Sequence, residues 1–131
     1  MNPTKIWANL AVNNLETTTK FYNAIGFRPN GRHATTNDLT SFVVGKDDFV
    51  INFFLKDVLE SNMKIKITDA ESAIEVMFTL SADSKDEVDR WADTIELAGG
   101  RILSRPQEFG EHYYGFVFAD PDGHTFNVLH M

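Results

Sequence analysis

The sequence predicts an α+β domain built from two βαβββ modules, and three observations carry that reading. An alternating strand, a polar cap, an amphipathic helix, a glycine stop and three further strand signals appear in that order twice, about 70 residues apart. Both helical stripes end at glycine, at Gly26 and at Gly99-Gly100. A polar, irregular stretch separates the two runs near the middle of the chain. The reading is therefore one domain over 1–131, with module one at 1–56, a linker at 57–72 and module two at 73–131.

In module one, Lys5-Ile-Trp-Ala-Asn-Leu-Ala-Val12 alternates, placing Ile6, Ala8, Leu10 and Val12 on one face and Trp7, Asn9 and Ala11 on the other. Asn13 or Asn14 can cap a helix whose Leu15, Thr18, Phe21, Tyr22 and Ile25 share one side. Strand signals resume at Phe27 and recur over Thr40–Val44 and Phe49–Leu55, around the turn-forming Gly45-Lys-Asp-Asp48. Asn52 falls between Val50 and Phe54 on the face opposite Ile51 and Phe53, an unusual place for an amide. A short helix through Asp57 to Met63 is the only order expected in the linker.

Module two restarts with Ile74, Val76, Phe78 and Leu80 alternating with Glu75, Met77 and Thr79. Ser84-Lys-Asp-Glu87 is a capping-box signature ahead of a stripe of Val88, Trp91, Ala92, Ile95 and Ala98. Strand signals follow at Arg101–Ser104, His112–Phe118 and Thr125–His130. A ferredoxin-like sandwich also alternates strands and helices, but it needs a second helix in each half, between strands that are here joined by short turns.

Composition narrows the function classes. The 11 phenylalanines and 43% hydrophobic content supply a core without metals or cross-links. A net charge of −7 and the absence of any basic run argue against nucleic acid or an anionic membrane as partner. With no cysteine there is no disulfide, thiolate zinc site or thiol nucleophile, and with no signal-like or membrane-length apolar segment a soluble, cytoplasmic protein is expected. Glycine-rich phosphate loops, Gly-x-Ser-x-Gly elbows and His-Glu-x-x-His helices are missing.

The stretch from Asn9 to Phe27, with its Asn-Leu-Ala-Val opening, Phe21-Tyr22 pair and Gly26-Phe27 turn, resembles the first strand and helix of glyoxalase-like proteins. Phe118-Ala-Asp-Pro-Asp-Gly-His-Thr-Phe-Asn-Val128 resembles their closing hairpin. Asp-Pro-Asp-Gly alone is a weak signal, since its residues suit many turns; order and spacing on the duplicated framework carry the likeness. The chain is thus similar to the vicinal oxygen chelate (glyoxalase, bleomycin-resistance and dioxygenase) superfamily, and most to its small bacterial predicted lactoylglutathione lyases. That resemblance implies a curved eight-stranded mixed sheet around a cavity, helices outside, and frequently a homodimer. In metal-dependent members it also implies a divalent ion held by histidine and glutamate on the inner strand faces.

Carried over by that resemblance, the four ligand positions fall on Trp7, on or near Asn52, on Met77 (or Glu75 with a two-residue slip) and on Asn127. None but Glu75 keeps a strong donor. An indole, two amides and a thioether can stack and hydrogen-bond, but do not gather the charge a divalent ion requires. No metal and no cofactor are therefore expected, and the expected contacts for a small molecule are Trp7, Asn9, Asn52, Phe54, Glu75, Met77, His112, Tyr114 and Asn127. Glu75 is the candidate base, because a carboxylate buried in an apolar cavity gains proton affinity. His124 and His130 read as structural, His33 as part of a polar loop, and His112 as lying near the cavity mouth.

Three functions fit these residues. The first is a glyoxalase-like protein with a degenerate metal site that binds a small organic molecule, as bleomycin-resistance proteins do. The second is a lyase or isomerase of the lactoylglutathione lyase type, using a displaced metal or the Glu75 carboxylate. The third is a partner-binding role with the cavity filled by side chains.

Overall fold

The computed structural model describes residues 1–31 and 34–131; His33 lies outside them. The chain divides into two compact units, Met1–Ile67 and Thr68–Met131, termed modules one and two below. Among the described residues, eight strands form two four-stranded mixed sheets, one in each module.

Module one contains β1 (Trp7–Val12), α1 (Leu15–Ala24), β2 (Arg28–Pro29), β3 (Leu39–Val44), β4 (Phe49–Leu55) and α2 (Lys56–Met63). Its sheet order is β1-β4-β3-β2, with β1 parallel to β4 and the other pairs antiparallel. Asn14 is the cap of α1, its side chain accepting from the Thr17 backbone N–H. The helix buries Thr18, Phe21 and Tyr22. The Tyr22 ring stacks on Phe53 at a centroid distance of 4.4 Å and also meets Phe27 and Phe42, so Ile51, Phe53 and Phe42 form the helix-covered face.

Module two repeats the plan with β5 (Met77–Ser81), α3 (Lys85–Leu97), β6 (Arg101–Phe109), β7 (Tyr113–Ala119) and β8 (Thr125–His130), in the order β5-β8-β7-β6. The capping box forms: Ser84 accepts from the Glu87 backbone N–H, and the Glu87 carboxylate accepts from that of Asp83. Val88, Ala92 and Ile95 of α3 are buried, as are Phe116, Phe118, Phe126 and Val128 of the sheet. The same strand order and the same mixture of parallel and antiparallel pairs in both modules establish the duplication.

Two elements fall short of the sequence expectation, and a third, β6, runs past it to Phe109. β5 starts at Met77 rather than at Ile74, and Ile74 and Val76 are exposed. Its partner β8 begins only at Thr125, because the residues before it are committed to a turn whose backbone bonds to Asp120. A strand edge ahead of Met77 thus has no ladder to join. The second departure is β2, which is reduced to two residues at Arg28–Pro29.

The closing turn does more than reverse the chain. Asp120 is buried, accepts from the backbone N–H groups of Asp122 and His124, and pairs with His124 Nδ1 at 2.8 Å. Gly123 has φ +95°, and a Cβ on it would stand 2.7 Å from the Glu71 backbone nitrogen. The hairpin therefore clamps the strap at residues 70–71 through a glycine that no other residue can replace without displacement.

Candidate functional site

Strand phase gives each sheet a second face, turned away from α1 in module one and from α3 in module two. In module one the ladder register aligns Asn9 with Asn52 and Asn52 with Ser41, so three strands put polar side chains in one row. Asn30, just past β2, extends it through its backbone bond to the Ser41 carbonyl. The side chains form one directional chain. Asn30 Nδ2 donates to Ser41 Oγ (3.0 Å), Ser41 Oγ to Asn52 Oδ1 (2.7 Å), and Asn52 Nδ2 to Asn9 Oδ1 (3.1 Å). Ser41 is 1% exposed, and its hydroxyl is used in both directions. Trp7, 55% exposed, and the half-buried Phe54 flank this row on the same face.

The equivalent row of module two is Thr79, Asn127 and Val117, by the same parallel and antiparallel register. Asn127 stands where Asn52 stands in module one, but its strand neighbour is Val117 in place of Ser41. Asn127 Oδ1 is buried and has no hydrogen-bond partner among the described residues. Met77, 45% exposed, lies on this face beside Thr79.

The other sequence candidates lie elsewhere. Tyr114 pairs with His130 across the ladder, in phase with the buried Phe116, and its hydroxyl donates to Asp89 of α3 at 2.7 Å. It therefore belongs to the helix side, not to the face of Asn127; residue parity on β7 decides this. The bond to Asp89 holds the Tyr114 hydroxyl above the usual tyrosine range, because it favours the protonated form. Lys85 pairs with Glu108 at 2.6 Å and lies 5.5 Å from the centre of the Tyr114 ring. Its hydrogen bond, then its charge, holds the Glu108 carboxyl below the usual range. With His130 and the exposed His112 these groups surround a recess of about 140 Å³. His130 Nδ1 lies 3.1 Å from the Ala82 carbonyl, which fixes the ring in place. Glu75 precedes β5 and is exposed, so it lacks the apolar enclosure that its role as base assumed.

The structure thus brings Trp7, Asn9, Asn52 and Phe54 together on one face of module one, and Met77 and Asn127 on one face of module two. His112 and Tyr114 are grouped on the helix side. Asn30, Ser41 and Val117 were not singled out from sequence; only the strand register, which a single sequence does not fix, places them in the polar rows. The donor set at these positions does not fit a divalent ion. Asn52 Oδ1 already accepts the Ser41 hydroxyl, and among the described residues no three His, Asp or Glu side chains converge as a metal site would require.

Two βαβββ modules of one strand order define a duplicated α+β fold class. The chain belongs to the Glyoxalase/Bleomycin resistance protein/Dioxygenase superfamily, whose profile matches residues 6–128. A hypothetical protein from S. aureus is 26% identical, with a TM-score of 0.85 over 100% of this chain and 96% of that one. A glyoxalase-related enzyme from Fulvimarina pelagi shares the fold at 19% identity and a TM-score of 0.84, over 98% of this chain and 89% of its own. So does a lactoylglutathione lyase from Agrobacterium tumefaciens, at 18% identity and a TM-score of 0.69, over 99% and 96%. No curated protein matches the chain. No described helix is long and apolar enough to cross a membrane.

Proposed function

We propose that this protein binds a small, uncharged or weakly polar organic molecule against the polar rows of its sheets, without a divalent ion at the positions where its superfamily holds one. The observation that supports this most is the hydrogen-bonded chain from Asn30 to Asn9, in which the residue at the acidic-ligand position is an amide already tied to Ser41. Such a row orients a ligand by donors and acceptors, while the exposed indole of Trp7 offers a stacking surface. A cytoplasmic location and a homodimer accompany this reading as expectations from composition and family likeness. The lyase or isomerase reading has weaker support, since its candidate base, Glu75, is exposed ahead of its strand.

Native mass spectrometry of freshly purified protein, with elemental analysis of the same sample, tests the proposal. The expected result is a small organic adduct and transition metal well below one equivalent. One equivalent of metal with no organic adduct would overturn it.

A further inference from the structure

Three features of module two share one sheet face. The first is the buried, unpartnered Asn127 Oδ1. Native proteins leave few such atoms, and each calls for an explanation. The second is Gly115, which puts no side chain beside that oxygen. A Cβ there would stand 2.3 Å from the Val128 carbonyl oxygen, 3.2 Å from Leu129 Cδ1 and 3.4 Å from Asn127 Oδ1, so the close approach of β8 demands glycine and the Leu129 side chain covers it. The third is an aromatic pair at the end of the β6–β7 hairpin. Phe109 and Tyr113 stack with centroids 6.0 Å apart and an interplanar angle of 20°, yet remain 44% and 42% exposed. Register and alternation put Tyr113, Gly115 and Val117 on the same side of β7, with Phe109 opposite Tyr113.

We infer that Asn127 Oδ1 accepts a hydrogen bond from an N–H or O–H of a planar aromatic ligand whose ring system runs over Leu129, beside Gly115, toward the Phe109–Tyr113 pair. This inference rests on the small-molecule reading above and adds which module anchors the ligand and what the ligand carries. Tyr113 and Val117 are about 13 Å apart along the strand, a span suited to a two-ring system bearing one polar group. The ligand is a donor, not an anion: the acceptor is a lone amide oxygen, and its row neighbours Thr79 and Val117 bring no positive charge. A carboxylate end would set two acceptors against each other. Module one cannot serve as the same anchor, because Ser41 already occupies Asn52 Oδ1.

Two matched probes separate the alternatives: 2-naphthamide, which has N–H donors, and methyl 2-naphthoate, which has none. Titrations followed by two-dimensional ¹H–¹⁵N NMR read the Asn127 side-chain amide and the Gly115 backbone amide, with Asn127→Leu to assign the former. The expected result is perturbation of both signals by the amide, with the ester binding about fivefold weaker or worse. Val117→Thr, which offers Asn127 an internal donor, should erase that preference; Val117→Ala, which offers none, should keep it. Equal binding of the two probes, absence of binding by both, or a preference that survives Val117→Thr would overturn the inference. Shifts confined to Trp7 and Asn52 would also overturn it, while leaving the broader small-molecule reading intact.

Discussion

Module one carries Ser41 where module two carries Val117, and around that single difference two sheets of the same topology present opposite surfaces. In module one the inner-strand asparagine sits in an unbroken chain of donors and acceptors across the sheet. In module two its counterpart keeps a buried oxygen without a partner among the described residues. A duplicated fold fixes where the amide stands, but a neighbour one strand away determines whether the amide is part of the scaffold or is left for something else to satisfy.

The hairpins that close the two sheets differ in the same manner, and here the largest effect is expected. Gly123 combines φ +95° with a backbone approach of 2.7 Å at the Cβ position, while Gly45, φ +75°, faces nothing within 4 Å. Gly123→Ala should therefore lower stability by about 2–4 kcal/mol, and Gly45→Ala by about 1 kcal/mol from backbone strain alone. Urea unfolding of both variants reads the difference. Equal losses would mean that the clamp on the strap contributes nothing.

Exchanging the row residues gives the next effect. Ser41→Ala strands Asn52 Oδ1 and should cost about 1–3 kcal/mol, whereas Val117→Thr offers Asn127 a donor of the same shape and should stabilise by about 1 kcal/mol. Thermal unfolding in the absence of any added ligand shows both signs. A destabilising Val117→Thr would dissolve the contrast between the modules.

The smallest effect concerns the helix side of module two. Asp89→Asn should bring the Tyr114 hydroxyl back down toward the usual tyrosine range, seen in alkaline ultraviolet titration. Because the folded-state value is raised, its contribution to stability is present below the unfolded tyrosine value and is lost as pH rises through the folded one. For Glu108, whose value is lowered by Lys85, the contribution is present above the unfolded glutamate value and is lost as pH falls through the folded one. Both pairs are exposed, so neither should move global unfolding measurably, and Asp89→Asn should leave it unchanged.

How far the sequence could be read follows from the same physics. Helix caps at Asn14 and Ser84, the apolar stripes and the alternation of β4 are local patterns, and the structure reproduces them. The phase of Asn52 and Asn127 followed from alternation alone. Which residues stand next to them did not, because register between strands far apart in sequence is settled by tertiary packing. Tyr114 shows the limit within a single strand: it stands among the expected ligand contacts with Asn127, yet its parity with Phe116 assigns it to the helix side. Glu75 shows another, since alternation continued past the point where β8 could supply a partner.

On the proposed reading, the indole, amide and thioether groups at Trp7, Asn52, Met77 and Asn127 serve an organic ligand and not a cation. Calorimetric titration of metal-stripped protein with Zn²⁺, Ni²⁺ and Mn²⁺ tests it most directly. The expected result is no one-to-one binding tighter than about 100 μM, given the lack of anionic or imidazole donors there. A one-to-one complex of micromolar or better affinity, lost on changing Asn52 or Asn127 to leucine, would contradict it.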